Sequence, residues 1–249
     1  RWEIWAIERL IIGFCFSGVY ITSESWLNAS ATNETRGQAL SAYMIVQMLG
    51  IIGAQILMNT ADPAGYLLFI IPSVLVSFAF LPILLSAQPA PQFSTIQRMS
   101  FATLFRVSPL GCVGIFLMGG VFSAIFGMAS VWGSARGLSV TEISAFVAAI
   151  YIGGLVLQYP VGWLSDHGDR RVIVLALAVL GTLACLATLM LQPDIWGLLL
   201  TAAIIGGVAN PVYSLLLAYT NDFLDAKDMA AASAGLLFIN GVGAISAPF

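Results

Sequence analysis

The sequence predicts an all-α integral membrane protein. Three observations carry that reading: an apolar composition, eight apolar stretches of spanning length, and a repeat that links the two ends of the chain. Hydrophobic residues make up 59% of 249 and charged residues 8%, against about 25% charged in an ordinary soluble domain. A surface built from this chain therefore faces lipid. The formal net charge of −3 is thinly spread, with no basic tract for nucleic acid and no acidic run suited to a solvating tail. Cys15, Cys112 and Cys185 lie inside apolar runs and read as small hydrophobes rather than a disulfide framework. The chain opens at Arg1 without an initiator Met or cleavable signal and stops within an apolar stretch at Phe249. Both ends read as cut from something longer.

A spanning helix needs about 20 mostly apolar residues. The first qualifying stretch, 4–27, holds the charged side chains Glu8, Arg9 and Glu24, and the second, 38–58, holds Gln47 and Gln55. The third, 66–86, is almost wholly apolar and is followed by a long segment, 87–108, whose Gln-Pro-Ala-Pro start and two arginines read as a cytoplasmic linker. Five more stretches follow at 109–131, 143–162, 172–191, 196–217 and 230–249. The short loops between stretches hold the Asn, Asp, Pro and Gly that turns require. On this reading 1–86 supplies three helices of one bundle and 109–249 supplies five of another.

Between the fifth and sixth stretches sits an acidic-then-basic knot, residues 162–171, with five titratable side chains: Asp166, His167, Asp169, Arg170 and Arg171. Orientation follows from the basic residues. Loops 28–37, 87–108, 163–171 and 218–229 share one side and hold Arg36, Arg98, Arg106, Arg170, Arg171 and Lys227, while the opposite loops hold Arg136. Basic residues favour the cytoplasmic side, which makes those four loops cytoplasmic. The triplets starting at Asn28 and Asn33 then face inward and are coincidental as glycosylation signals.

Laid on itself with a shift of 193 residues, the chain gives ten identities in the 47 positions from Glu8 to Ala54. Ile11-Ile12-Gly13 meets Ile204-Ile205-Gly206, Val19-Tyr20 meets Val212-Tyr213, and Asn28 meets Asn221. Six spans separate the copies, so both cross the membrane in one direction. Parallel six-helix repeats of that kind build the two halves of the major facilitator fold.

Gly162-x-Leu164-Ser165-Asp166-x-x-x-Arg170-Arg171 resembles the major facilitator superfamily signature in the loop between the second and third helices of each half. Arg9-x-x-x-Gly13 resembles the family's fourth-helix motif. Val19-Tyr20, Glu24-Ser25-Trp26 and Arg36-Gly37 resemble the end of that helix and the following loop, as in YcaD-like bacterial permeases. The resemblance implies a fragment of the major facilitator fold: eight transmembrane helices, the fourth to the eleventh, from two pseudo-symmetric six-helix bundles. Two departures stand out. Asp169 occupies the place where the signature has Gly, and Gly50–Gln55 lacks the proline of the antiporter motif.

An ionisable group within a span costs roughly 2.5–3.5 kcal/mol on insertion scales and is a functional candidate by default. For Arg9, about 10 Å from the centre of its span by the helical rise, the resemblance implies proton coupling or substrate binding; the alternative is a side chain that snorkels or pairs with Glu8. Glu24 lies about 22 Å further along the same broad face, placed for a cytoplasmic gate or for proton coupling; the alternative is a solvated carboxylate at the helix end. Gly162, Asp166, Arg170, Arg171 and Arg36 belong to the gate motifs, although the arginines equally suit topology anchoring. Gln47, Gln55, Tyr151, Gln158, Asn210 and Asn240 either line a path or hold helices together. Gln47 and Asn240 are the same position in the repeat. Asn210-Pro211 is expected to unwind its helix locally. His167 reads as a solvated loop residue, and the Phe and Met side chains of 109–131 as packing that would also suit an amphipathic substrate.

No reactive triad, metal spacing or phosphate loop is present in the sequence. The expectation is a non-enzymatic secondary active transporter of a small molecule, working as a monomer by alternating access, proton-driven and without cofactors. A non-transporting membrane sensor or scaffold is the alternative.

Overall fold

A computed structural model describes residues 2–30, 36–62, 64–85 and 99–247. Among them the chain is helical: α1 (Trp2–Ser30), α2 (Arg36–Leu57), α3 (Leu67–Leu85), α4 (Phe101–Val107), α5 (Pro109–Phe122), a π-helical segment (Ser123–Met128), α6 (Ala129–Ala135), α7 (Val140–His167), α8 (Arg170–Leu191), α9 (Ile195–Asn221) and α10 (Ala226–Ser246). Each of the eight expected spans is a helical rod, the fourth being α5, the π segment and α6 in series. Pro109–Ala135, Val140–Ser165, Arg170–Leu191 and Ile195–Asn221 are long and apolar enough to cross a membrane, and shorter apolar helices run over Ala42–Leu57, Leu67–Pro82 and Ala231–Ser246.

Several boundaries differ from expectation for physical reasons. The span 143–162 continues as helix to His167, because polar residues beyond the apolar stretch keep their helical hydrogen bonds once outside lipid. The knot is therefore mostly helix, with Gly168 and Asp169 as the connection. The end of the expected linker is the short helix α4. Pro211 lies within an uninterrupted α9, so the expected unwinding does not occur. The Asn210 side-chain amide donates to Gly206 O at 3.1 Å, next to the carbonyl that the proline leaves without its amide donor.

The chain forms two compact units, Arg1–Leu49 with Phe69–Thr95, and Gly50–Leu68 with Ile96–Phe249. In the first, α1, the start of α2 and α3 present large apolar side chains such as Leu10, Phe14, Phe69 and Leu84 at their surfaces, as lipid-facing or partner-seeking helices do. The second holds the core, where Leu104, Ile115, Leu216 and Leu236 are fully buried. Two helix pairs build it: α7 crosses α9, and α5 crosses α10, while α8 packs on α9. Glycine permits both crossings. A Cβ on Gly153 or Gly206 would strike the backbone of Ala203 or Ile150 across the α7–α9 crossing, and one on Gly119 or Gly243 would strike Asn240 or Phe116 between α5 and α10. Small residues at such points let backbones meet where lipid provides no hydrophobic drive.

Candidate functional site

The charged knot becomes a clasp at one end of the second unit. Asp169 caps α8, its carboxylate accepting from the Arg171 backbone N–H at 2.9 Å, which is the cap chemistry that a helix start demands. Arg170 and Arg171 are thereby fixed in the first turn of α8, where the helix dipole disfavours cations. Both reach to the end of α9 instead. Arg170 Nη1 donates to Asp222 Oδ2 at 2.5 Å, with the two side chains 22% and 52% exposed. Arg171 Nε donates to Tyr219 Oη at 3.0 Å, and its guanidinium lies 5.3 Å from the Tyr219 ring centroid. The C-terminal end of α9 thus supplies a carboxylate, a phenol and a ring face to two cations. On the same turn, the buried Thr220 hydroxyl lies 3.0 Å from Ser108 Oγ, which accepts from the Gly111 N–H at 3.2 Å and caps α5. His167 is not a loop residue: its Nδ1 lies 2.8 Å from Trp163 O and its ring 4.7 Å from the Trp163 ring.

Along the α7–α9 seam runs a polar string. Gln158 Nε2 donates to Ser214 Oγ at 3.1 Å, and Ser214 donates to Asn210 O at 3.4 Å. Among the described residues Gln158 Oε1 is buried with no hydrogen-bond partner, an unusual state for a buried acceptor. Beside the seam an aromatic row joins three elements: Tyr151 stacks on Phe126 at 5.3 Å, Phe126 on Phe122 at 5.4 Å, and Phe122 tilts against Tyr213 at 5.8 Å. Phe126 belongs to the π segment, whose extra residue per turn re-aims side chains and is often found at functional sites.

The structure brings Arg170 and Arg171 together, and places Tyr151, Gln158 and Asn210 on the α7–α9 seam. Arg9 is exposed on α1 with its guanidinium 4.6 Å from the Trp5 ring centroid. Asn240 donates to Ile115 O at 3.0 Å and joins α10 to α5. Gln47 and Gln55 are half-buried on α2. Gly162 has open space where a side chain would stand. The side chains of Glu24, Arg36 and Asp166 lie outside the described residues. Sequence reading missed Asp222, Tyr219, Ser214 and the Ser108–Thr220 pair. The spacing of Tyr219 and Asp222, three apart on the last turn of α9, was the available signal. Among the described residues, no group of three His, Cys, Asp or Glu side chains gathers as a metal would require.

Comparison with known proteins agrees with this architecture. A family model described as Major Facilitator Superfamily matches residues 1–248. The chain is similar to an uncharacterized MFS-type transporter of Yersinia enterocolitica, with 25% identity over 98% of this chain and 63% of that protein. It is also similar to the uncharacterized MFS-type transporter YcaD of Salmonella heidelberg, with 24% identity over the same shares. A Yersinia pestis protein of the same description is 26% identical, again over 98% and 63%. The chain thus spans about 63% of the length of the relatives it matches. No solved structure matches.

Proposed function

Because the chain belongs to the major facilitator superfamily, we propose that the full-length protein is a secondary active transporter that moves a small molecule by alternating access. One observation carries the reading: the two-arginine clasp that ties the start of α8 to the end of α9 through Asp222 and Tyr219. A pair of partly exposed charge contacts at the end of a helix bundle is strong enough to hold one arrangement and weak enough to exchange. The clasp end is cytoplasmic in this proposal, since it carries the basic residues, and the membrane is the inner, cell membrane. Proton coupling involves Arg9 and Glu24, with Asp166 and Arg36 contributing to the gate. The aromatic row and Gln158 suit an apolar or amphipathic substrate with one hydrogen-bond donor.

The test uses the full-length protein in proteoliposomes. A thermal-shift screen of apolar and amphipathic compounds identifies a ligand, and its uptake is then followed with and without an imposed pH gradient. Uptake that rises with the gradient and falls at least tenfold in Arg170→Ala, with insertion unchanged, supports the reading. Normal uptake in that variant removes the clasp from the mechanism. Binding with no flux under either condition favours the sensor or scaffold, and uptake indifferent to pH removes the proton.

A further inference from the structure

At the end of the second unit opposite the clasp, a cavity of about 390 Å³ opens between the π segment with α6, α7, α8 and α9. That volume lies within the ~300–1,000 Å³ of small-molecule sites. Its floor is apolar and deep: Ile150 is 3% exposed and Ala202 fully buried. The hydroxyls in its wall are already used, Thr188 donating to Ala184 O at 2.9 Å and Thr201 to Gly197 O at 3.1 Å on their own helices. The interior therefore offers an occupant hydrocarbon contact and little else.

The rim differs. Arg136, the C-cap of α6, is placed by a turn in which Gly137 takes a left-handed φ of 76° and Leu138 N–H returns to Gly133 O at 3.1 Å. Its guanidinium lies 5.1 Å from the Trp132 ring centroid. No carboxylate pairs with it among the described residues, and Arg170 and Arg171 stand at the other end of the same helices. Trp132 and the exposed Trp196 are the aromatic side chains that mark a headgroup level. Leu189 in the cavity wall and its neighbour Met190 are 69% and 78% exposed, an apolar opening suited to sideways entry from a bilayer.

We propose that this cavity binds one phospholipid, an acyl chain lying over Ile150 and Ala202 and its phosphate held on the Arg136 guanidinium. Arginine's planar fork matches phosphate geometry, and the neighbouring ring holds that fork at the membrane surface. The proposal does not depend on transport and fails or stands separately from it.

Native mass spectrometry of the full-length protein, titrated with dioleoyl phosphatidylglycerol, tests it. The wild type retains one lipid. Arg136→Gln, on an exposed side chain, binds it about tenfold more weakly, and Thr188→Phe, which fills the cavity from α8, loses it. Glycerol phosphate, the headgroup alone, does not displace it. Equal retention in the wild type and Arg136→Gln overturns the proposal, as does displacement by glycerol phosphate, which would make Arg136 a site for soluble anions.

Discussion

Asp169 stands where the family signature has glycine, and its carboxylate caps α8. A cap of this kind is worth about 1 kcal/mol, and glycine replaces it at a cost of only a few tenths. Asp169→Ala should therefore lower stability by about 1 kcal/mol in a denaturant or thermal titration, while Asp169→Gly should hardly move it. The neighbouring contact differs in kind. The Arg170–Asp222 pair is partly exposed, so Asp222→Asn should cost below about 1 kcal/mol of stability yet slow transport strongly. The exchanged pair, Arg170→Asp with Asp222→Arg, should recover part of the rate in the uptake assay. At this scale the sequence displayed one half of each interaction. Arg170 and Arg171 were conspicuous as charges beside apolar runs, but their partners lie about fifty residues on, and nothing local reveals which loop folds back to meet them.

The helices were more legible than their contacts. Long apolar runs mark all eight rods, because lipid requires every backbone group to be bonded within its own segment. The ends were less legible, since hydropathy reports where lipid stops and not where the helix stops. The π segment left no sequence mark. The crossings did: the doublets Gly153-Gly154 and Gly206-Gly207 face one another across α7 and α9. Gly206→Leu should force those backbones apart and cost roughly 1–3 kcal/mol or more, seen as a lost folded fraction on size exclusion. Gly162→Ala, in open space, should stay within about 0.5 kcal/mol of the parent. Asn240→Leu removes the hydrogen bond to Ile115 O, and such bonds in membranes average about 0.6 kcal/mol. A small thermal shift is the expected outcome there, with transport retained.

For the molecule as a whole, composition and the 193-residue repeat sufficed to read a membrane protein of duplicated design, and the family match over residues 1–248 agrees. What composition could not supply was the pairing of helices within the second unit, because any apolar face can satisfy any other until small residues and buried amides discriminate between them. The pairs that result are nested: α7 with α9, and α5 with α10, the inner pair enclosed in sequence by the outer. Nesting has a consequence for biogenesis. A ribosome delivers α5 first, yet α5 waits longest for its partner, while α7 waits only for α8 to be threaded past. A nascent chain released after α8 would leave the glycine face of α7 and the Gln158 amide open to lipid, a form that membrane proteases should clear quickly. One released after Asn221 closes the inner pair and should persist longer, so pulse-chase half-lives of the two truncations would reveal whether assembly proceeds from the inside outward.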